Sequence, residues 1–465
     1  MTLRLSTRTL ALIVGLALFM QSLDATILVT AFPAMARSFH TPVLTLHIAI
    51  TSYLVGAAMC IPISGWLADR FGARSIFCSA IAGFVVTSAL CGFSRTVNEL
   101  VAARALQGAA GALLLPIGRL ILLNGVPKAQ LFEAMTYFAF PPLIGPLLGP
   151  PLGAAFATYA SWRWVFYLNL PIGLVGLVLA AMAIPPGPGL EPRRLDVPGL
   201  ILSALSLVGL SMGFEHLASP IMSDRIALLV VLGGGLSAFA YILHARRTSE
   251  PIIDLSLMRI PTFAACTIAS FMVRLCIGAA PFLLVLLLQV VFGMQALRAG
   301  LMILLLAIGS ILMRTLASGV YMRLGFRRIL MAAAVVTGGS FVALGFTGAE
   351  TSLVVIVALL LTHGFSRSVE LAGVYTLSFA DVPEGRMSAA STLSGVAGLL
   401  SQSVGIALAT LALNWSRVWR SGAVLDFVDV RTAFIVLGTI GAAAALMFVG
   451  LPANAGASLS SSKPA

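Results

Sequence analysis

The sequence predicts an all-α membrane protein that crosses the bilayer many times, and three observations carry that prediction. Of 465 residues, 59% are apolar and only 9% are charged, whereas soluble domains average about 25% charged residues. Mean hydropathy is +1.05. Long apolar runs recur from one end of the chain to the other. A bilayer core of about 30 Å takes roughly 20 apolar residues per crossing helix. Lipid offers no hydrogen bonds to the backbone, so each crossing must satisfy its own, which favours helices over weakly alternating barrel strands.

Polar or Pro/Gly-rich breaks divide the chain into fourteen candidate spans: 10–31, 44–66, 75–93, 98–123, 130–158, 164–184, 197–217, 225–244, 262–291, 298–317, 327–347, 351–379, 387–413 and 431–451. Arg4 and Arg8 ahead of the run Leu10–Met20 look like the start of a secretory signal. Gln21 and Asp24 interrupt that run and the rest of the chain is equally apolar, so it is read as a retained first span. An even count places both termini on one side. With the N-terminus inside, fifteen Lys and Arg fall in cytoplasmic segments, among them Arg70, Arg74, Lys128, Arg193, Arg323 and Lys463, against eight outside. The positive-inside rule then makes both termini cytoplasmic. The compact loops suit a bacterial inner membrane.

The net charge of +12 would point to nucleic acid in a soluble chain; here it follows topology, and no nucleic-acid partner is expected. Cys60, Cys78, Cys91, Cys266 and Cys276 form no CxxC pair and lie in or beside apolar runs, which predicts buried thiols without a disulfide framework. The five histidines show no metal-ligand spacing. An intramembrane enzyme should show a nucleophile with a base, or a metal constellation. No HExxH, GxSxG or Walker-type loop is present, which argues against an enzyme and against ATP as the energy source. No soluble sensory domain speaks for a receptor.

GWLADRFGAR, after the second span, is echoed by SGVYMRLGFR after the tenth. Arg70 matches Arg323, Gly72 matches Gly325 and Arg74 matches Arg327, while Asp69 has become Met322. Two related halves suit a transporter, whose substrate site lies between repeats near the midplane. The expected organisation is a six-helix half over 1–190, an inserted helix pair over 191–260, a second six-helix half over 261–455, and a disordered tail over 456–465.

An ionisable group at the centre of a membrane helix costs about 2.5–3.5 kcal/mol on insertion scales and normally has a partner or a function. Asp24 in the first span and Arg104 in the fourth are such groups. They read as a proton carrier with its tuning charge, or as a static ion pair joining two helices. Glu370 is a second proton-carrier candidate; Arg367 shares its helix face and could cancel its charge. Arg119 and Arg314, near predicted cytoplasmic ends, are expected to snorkel. Arg274 lies deeper and is expected to face a cavity with Gln21 and Arg367, where it could attract an anionic group. The fifth span carries Gly145, Pro146, Gly149, Pro150, Pro151 and Gly153. Glycines four apart permit close helix approach and prolines introduce kinks.

Taken together, these segments resemble the major facilitator superfamily, and within it the fourteen-helix drug:proton antiporter branch. The resemblance rests on LDATILVTAFP at Leu23, Asp24, Thr26 and Pro33, on the loop at Gly65, Leu67, Asp69, Arg70, Gly72 and Arg74, and on RALQGAAG at Arg104, Gln107, Gly108 and Gly111. It continues at Gly145, Pro146, Gly149 and Gly153, in SWRWVFYLNLPIG from Ser161 and in EPIIDLSLMR from Glu250. Ala73, Pro141 and Pro150 depart from the family pattern. The resemblance implies the major facilitator fold, two six-helix halves plus an inserted pair, and export of small hydrophobic compounds in exchange for protons. It implies that Asp24 takes part in coupling, that Arg104 assists proton transfer, and that Asp69 and Arg70 form a cytoplasmic charge cluster closing the inner side. The expected partners are small-molecule substrates, protons and lipid; no cofactor is expected, and the chain is expected to work as a monomer. A narrow-specificity transporter of a metabolite or organic anion, on the same fold, is the alternative.

Overall fold

The fold was taken from a computed structural model, which describes residues 6–41, 43–127, 130–185, 194–218, 222–313, 321, 325–348, 350–420 and 426–452. The helices are α1 Thr7–Phe39, α2 His47–Cys60, α3 Ser64–Phe71, α4 Ala73–Phe93, α5 Val97–Gly125, α6 Leu131–Phe138, α7 Pro141–Tyr159, α8 Trp164–Tyr167 and α9 Asn169–Ala183. They continue as α10 Val197–Ala218, α11 Asp224–Arg247, α12 Pro261–Val285, α13 Ala296–Leu312, α14 Phe326–Gly345, α15 Leu353–Leu377, α16 Met387–Trp419, α17 Phe427–Ala443 and α18 Ala445–Val449. Among the described residues, twelve helices are long and apolar enough to cross a membrane, and the bent pair α2–α3 makes a thirteenth if taken as one span. The expected span 298–317 appears as the shorter apolar α13. Residues 314–320 lie outside the described residues, as do Arg4, Lys128, Arg193, Arg314, Met322, Arg323, Lys463 and the tail 456–465.

Helix ends follow local chemistry. Ser6 caps α1 by accepting the Thr9 amide, which satisfies one of the amides the first turn leaves open. Thr96 caps α5 through the Glu99 amide, and the Glu99 carboxylate accepts the Arg95 amide in return. The expected second span 44–66 is instead bent by 54° between α2 and α3 and runs on to Phe71. Pro62 sits in that break, where it has no amide hydrogen to continue the ladder. The expected span 130–158 is found as the single span Leu131–Tyr159, interrupted only between Phe138 and Pro141, where Pro141 opens α7.

The chain divides into two compact units. The first comprises Met1–Met212, Leu228–Ser256 and Pro383–Val396. It packs Ile27, Leu28, Phe32, Leu100, Trp162 and Phe166 into one apolar cluster. The second comprises Gly213–Ala227, Leu257–Val382 and Ala397–Ala465, and packs Leu283, Leu284, Phe341, Leu360, Phe434 and Leu437.

Between membrane helices the hydrophobic effect is weak, and close packing at small residues takes its place. Each unit shows this through a reciprocal glycine pair. In the first, a Cβ on Gly56 would lie 1.9 Å from the Ala105 carbonyl oxygen, and one on Gly108 1.9 Å from that of Tyr53, so α2 and α5 touch backbone to backbone. In the second, Gly309 meets the Leu361 carbonyl oxygen at 2.3 Å and Gly364 that of Leu306 at 2.1 Å, joining α13 to α15. The repeat read in the loops therefore extends into the packing. Gly72 and Gly325 repeat it again: both precede a helix, with φ of 83° and 78°, a region that side chains disfavour.

Gly108→Ala and Gly364→Ala should each destabilise the purified protein by about 1–3 kcal/mol, the usual range for overpacking. Gly233→Ala, with nothing within 4 Å, should leave thermal unfolding unchanged.

Candidate functional site

The first unit buries a polar cluster built from four helices. Asp24 comes from α1, Ser88 from α4, Arg104 and Gln107 from α5, and Asn169 from the first turn of α9; all five are at most 2% exposed. The Asp24 carboxylate uses both oxygens. Arg104 Nη1 donates to Oδ2 at 2.6 Å, while Gln107 Nε2 at 3.1 Å and Asn169 Nδ2 at 2.8 Å donate to Oδ1. Gln107 Oε1 accepts from Arg104 Nη1 at 2.6 Å, and Ser88 Oγ accepts from Gln107 and Asn169 at 2.7 and 3.3 Å. Arg104 also donates to the Ala49 carbonyl at 3.3 Å, and its guanidinium lies 4.6 Å from the Tyr53 ring centre. A buried ion pair is tolerated only when further hydrogen bonds satisfy the remaining lone pairs and protons. Here Gln107, Asn169 and Ala49 supply them. The Asn169 carbonyl oxygen is the one side-chain atom of these five residues left buried without a hydrogen-bond partner.

Proline chemistry fixes α1 in place. Pro146 has no amide to give the Pro142 carbonyl four residues back. The Ser22 hydroxyl takes that carbonyl instead, at 2.7 Å, and Thr26 donates to the Gly145 carbonyl at 3.2 Å. Gly145, Gly149 and Gly153 make the approach possible. Cβ atoms there would fall 2.7 Å from the Leu23 amide, 2.2 Å from Thr26 Oγ1 and 2.1 Å from Thr30 Oγ1. The glycine stripe of α7 thus lies against the turns of α1 that flank Asp24. Gln21 joins the edge of the cluster, donating to the Tyr53 hydroxyl at 3.0 Å.

The segment read as a cytoplasmic loop is largely helical, with Gly65, Asp69 and Arg70 on α3, Gly72 at the break and Arg74 on α4. Asp69 accepts a hydrogen bond from Ser388 Oγ at 2.7 Å, next to a Ser64–Thr392 hydroxyl pair at 3.1 Å. A Cβ on Gly65 would lie 2.6 Å from Thr392 Oγ1, so glycine lets the N-terminal turns of α16 settle on α3. Arg70 is exposed and stacks on Trp66 and Phe71 at 5.4 and 5.6 Å. Arg74 donates to the Ala181 carbonyl of α9. Asp254 completes the attachment by pairing with Arg386, just ahead of α16. Burial works to raise the Asp254 pKa, but hydrogen bonds from Ser256 and Arg386 and the charge of Arg386 outweigh it and hold the group below the usual carboxylate range.

In the second unit, Glu370 is 1% exposed and neither carboxylate oxygen has a hydrogen-bond partner. Arg367, which sequence spacing makes a possible partner, donates instead to Ser310 Oγ at 3.4 Å. Arg274 is half-buried, stacked 5.4 Å from the Tyr375 ring centre, and donates to Ser270 Oγ at 3.2 Å and to the Tyr375 hydroxyl. Gly398 leaves room for it. Arg119, expected to snorkel, is 1% exposed; position near a helix end did not decide where its long side chain turned. Cys91, Cys266 and Cys276 are buried and Cys60 and Cys78 half-buried, all as free thiols. Sequence reasoning missed Asn169, Ser88 and Tyr53. An amide at the start of an otherwise apolar helix was the available signal for Asn169.

Residues 14–410 match the Major Facilitator Superfamily. Proteins of Salmonella heidelberg and Salmonella typhi, provisionally named multidrug resistance protein MdtD, are each 37% identical over 411 residues, covering 88% of this chain and 87% of theirs. Two solved structures share the fold. The human organic anion transporter MFSD10 (TETRAN) superposes with a TM-score of 0.68 at 16% identity, over 96% of this chain and 100% of that one. The proton:xylose symporter XylE gives 0.67 at 15% identity, over 97% of each chain.

Removing one partner of a buried ion pair costs about 3–5 kcal/mol, because the other charge is left uncompensated. Arg104→Gln should therefore lower thermal stability in detergent sharply, and adding Asp24→Asn should recover most of the loss in a double-mutant cycle. The Asp254–Arg386 clasp has the opposite dependence from a histidine switch. Because the folded carboxylate is the stronger acid, its contribution is present above about pH 4, the unperturbed carboxylate value, and is lost as pH falls through the lowered folded value. Protease nicking of the 248–260 segment should rise on acidification, and Asp254→Asn should be nicked as readily at neutral pH.

Proposed function

Because the chain belongs to the Major Facilitator Superfamily, we propose that it is a proton-coupled antiporter exporting small hydrophobic or amphipathic compounds, a multidrug efflux protein. The observation that carries this reading is the buried Asp24–Arg104–Gln107–Asn169 cluster. The relatives named for multidrug resistance support it.

With Asp24 ionised, a charge-assisted hydrogen bond ties α1 to α5; such bonds are roughly twice as strong as neutral ones. A proton on Asp24 removes the charge and with it most of that tie. Arg104 is then left as an uncompensated buried cation, and the cluster must rearrange or admit water. Because α1 also lies along the α7 glycine stripe, a change at Asp24 is passed directly to a helix whose prolines have already opened its hydrogen-bond ladder. Proton occupancy at one side chain thereby biases the packing of a whole helix pair.

In this reading the chain makes fourteen crossings: the twelve long helices, the bent pair α2–α3 as one span, and α13. Both termini are cytoplasmic and the protein sits in a bacterial inner membrane. The attachment of Asp69, Gly65 and Ser64 to the start of α16 acts as the inner gate. Substrates, protons and lipid are the partners; the chain acts as a monomer and the proton gradient replaces any cofactor.

The test is a preformed pH gradient in everted membrane vesicles, challenged with cationic, neutral and anionic compounds. Substrate-dependent collapse should appear with cationic or neutral amphipathic compounds and fall at least about tenfold, equivalent to 1.4 kcal/mol, in Asp24→Asn. Equal collapse in the variant would remove Asp24 from coupling. A response to anionic compounds alone would replace drug export with organic-anion transport.

A further inference from the structure

A carboxylate only accepts hydrogen bonds, whereas a carboxylic acid must also donate one. When Asp24 takes up a proton, its new O–H therefore needs an acceptor inside a buried cluster. The acceptors of that cluster are already engaged, with one exception. Gln107 Oε1 accepts from Arg104 Nη1 at 2.6 Å and from the Cys91 thiol at 3.5 Å. Ser88 Oγ accepts from Gln107 at 2.7 Å and from Asn169 at 3.3 Å. The exception is the Asn169 carbonyl oxygen, which is buried and unmatched.

That oxygen faces away from Asp24 because the nitrogen of the same amide faces it. Both Nδ2 hydrogens of Asn169 are used, one on Asp24 Oδ1 at 2.8 Å and one on Ser88. Gln107 also turns its nitrogen to Asp24 Oδ1, at 3.1 Å, but its amide is held. Reversing it would set N–H groups against the Arg104 guanidinium that its oxygen now serves. No such bond holds the oxygen of Asn169, and the terminal torsion of an asparagine is broad and roughly two-fold. Turned end for end, the Asn169 amide would bring its oxygen to Asp24 and to Ser88, whose hydroxyl would then donate to it. With Asp24 still ionised, the same turn would set oxygen against carboxylate. Each orientation thus suits one protonation state.

We propose that Asn169 is the residue that reads the proton on Asp24, presenting its amide nitrogen to the carboxylate and its carbonyl oxygen to the protonated acid. Asn169 opens α9, whereas Arg104 and Gln107 lie on α5. Protonation therefore weakens the bond from α1 to α5 and replaces the one from α1 to α9, so α1 stays with α9 as α5 is released. The ionisable groups around this carboxyl are Arg104 on α5, Tyr53 on α2 and Cys91 on α4. Helix α9 carries none, and α7 only Tyr159 at its far end. The inference rests on the antiport reading and adds to it a positioning residue and the helix pair that separates.

Solid-state NMR of the reconstituted protein tests it, with nitrogen-15 in asparagine side chains and carbon-13 in aspartate carboxyls. Asn169 is one of five asparagines, and its signal is assigned by its loss in Asn169→Asp. The dipolar coupling between its side-chain nitrogen and the Asp24 carboxyl carbon should fall at least about twofold as Asp24 protonates, because the nitrogen leaves hydrogen-bond range. Asn169→Leu, with neither donor nor acceptor, should slow proton-coupled export about tenfold, and raising the pH should not restore it. A coupling that stays constant while Asp24 titrates overturns the proposal. Recovery of Asn169→Leu at higher pH also overturns it, since that would mark Asn169 as a donor to the ionised form alone. If this variant does not fold, the coupling in the wild type decides. An Asp24 carboxyl that never protonates would remove the antiport reading and this inference with it, a result distinct from a titrating carboxyl beside a fixed amide.

Discussion

A carboxylate and a guanidinium 2.6 Å apart, both about 2% exposed or less, are the constraint around which the first unit is arranged. Such a pair cannot be held by two helices alone. Its leftover lone pairs and protons need donors and acceptors, and these come from Gln107, Asn169, Ser88 and the Ala49 carbonyl. Four helices and the start of α2 are therefore committed by one ion pair. The cost of burying it makes geometric tolerance small, and small tolerance is what allows a single proton to matter.

Close packing meets that constraint without a hydrophobic driving force. Gly56 and Gly108 bring α2 and α5 into backbone contact, which sets Tyr53 beneath the Arg104 guanidinium. The α7 glycines do the same for α1. Pro146 frees a carbonyl that Ser22 then claims, so a helix defect becomes an interhelical bond. Among the described residues, the second unit repeats the glycine interlock at Gly309 and Gly364 but not the buried ion pair. Packing has been retained between the halves while the polar chemistry has diverged.

Much of this was legible in the sequence because charge in an apolar run is conspicuous. Asp24 and Arg104 stood out for that reason, read as a carrier with its tuning charge or as a static pair joining two helices. Asn169 and Ser88 did not, since small polar residues are ordinary in membrane helices and only three-dimensional proximity reveals what they serve. The spacing of Arg367 and Glu370 allowed a pair that the fold did not make, because i, i+3 proximity yields to a competing acceptor on a neighbouring helix. Arg119 was misplaced for a related reason: a long side chain near a helix end can turn outward or inward, and sequence does not say which. The bend at Pro62 moved the end of the second span, as prolines do when the surrounding packing accepts the kink.

The account turns on whether the Asp24 proton is exchangeable, and a carbon-13 NMR titration of that carboxyl in reconstituted protein measures this most directly. Asp24→Asn would assign the signal, and spectra would be taken with and without a transported compound. The account predicts a protonated signal that grows over the pH range that drives transport and recedes when substrate is added. A carboxylate that stays ionised throughout, indifferent to substrate, would mark a static ion pair and contradict the account.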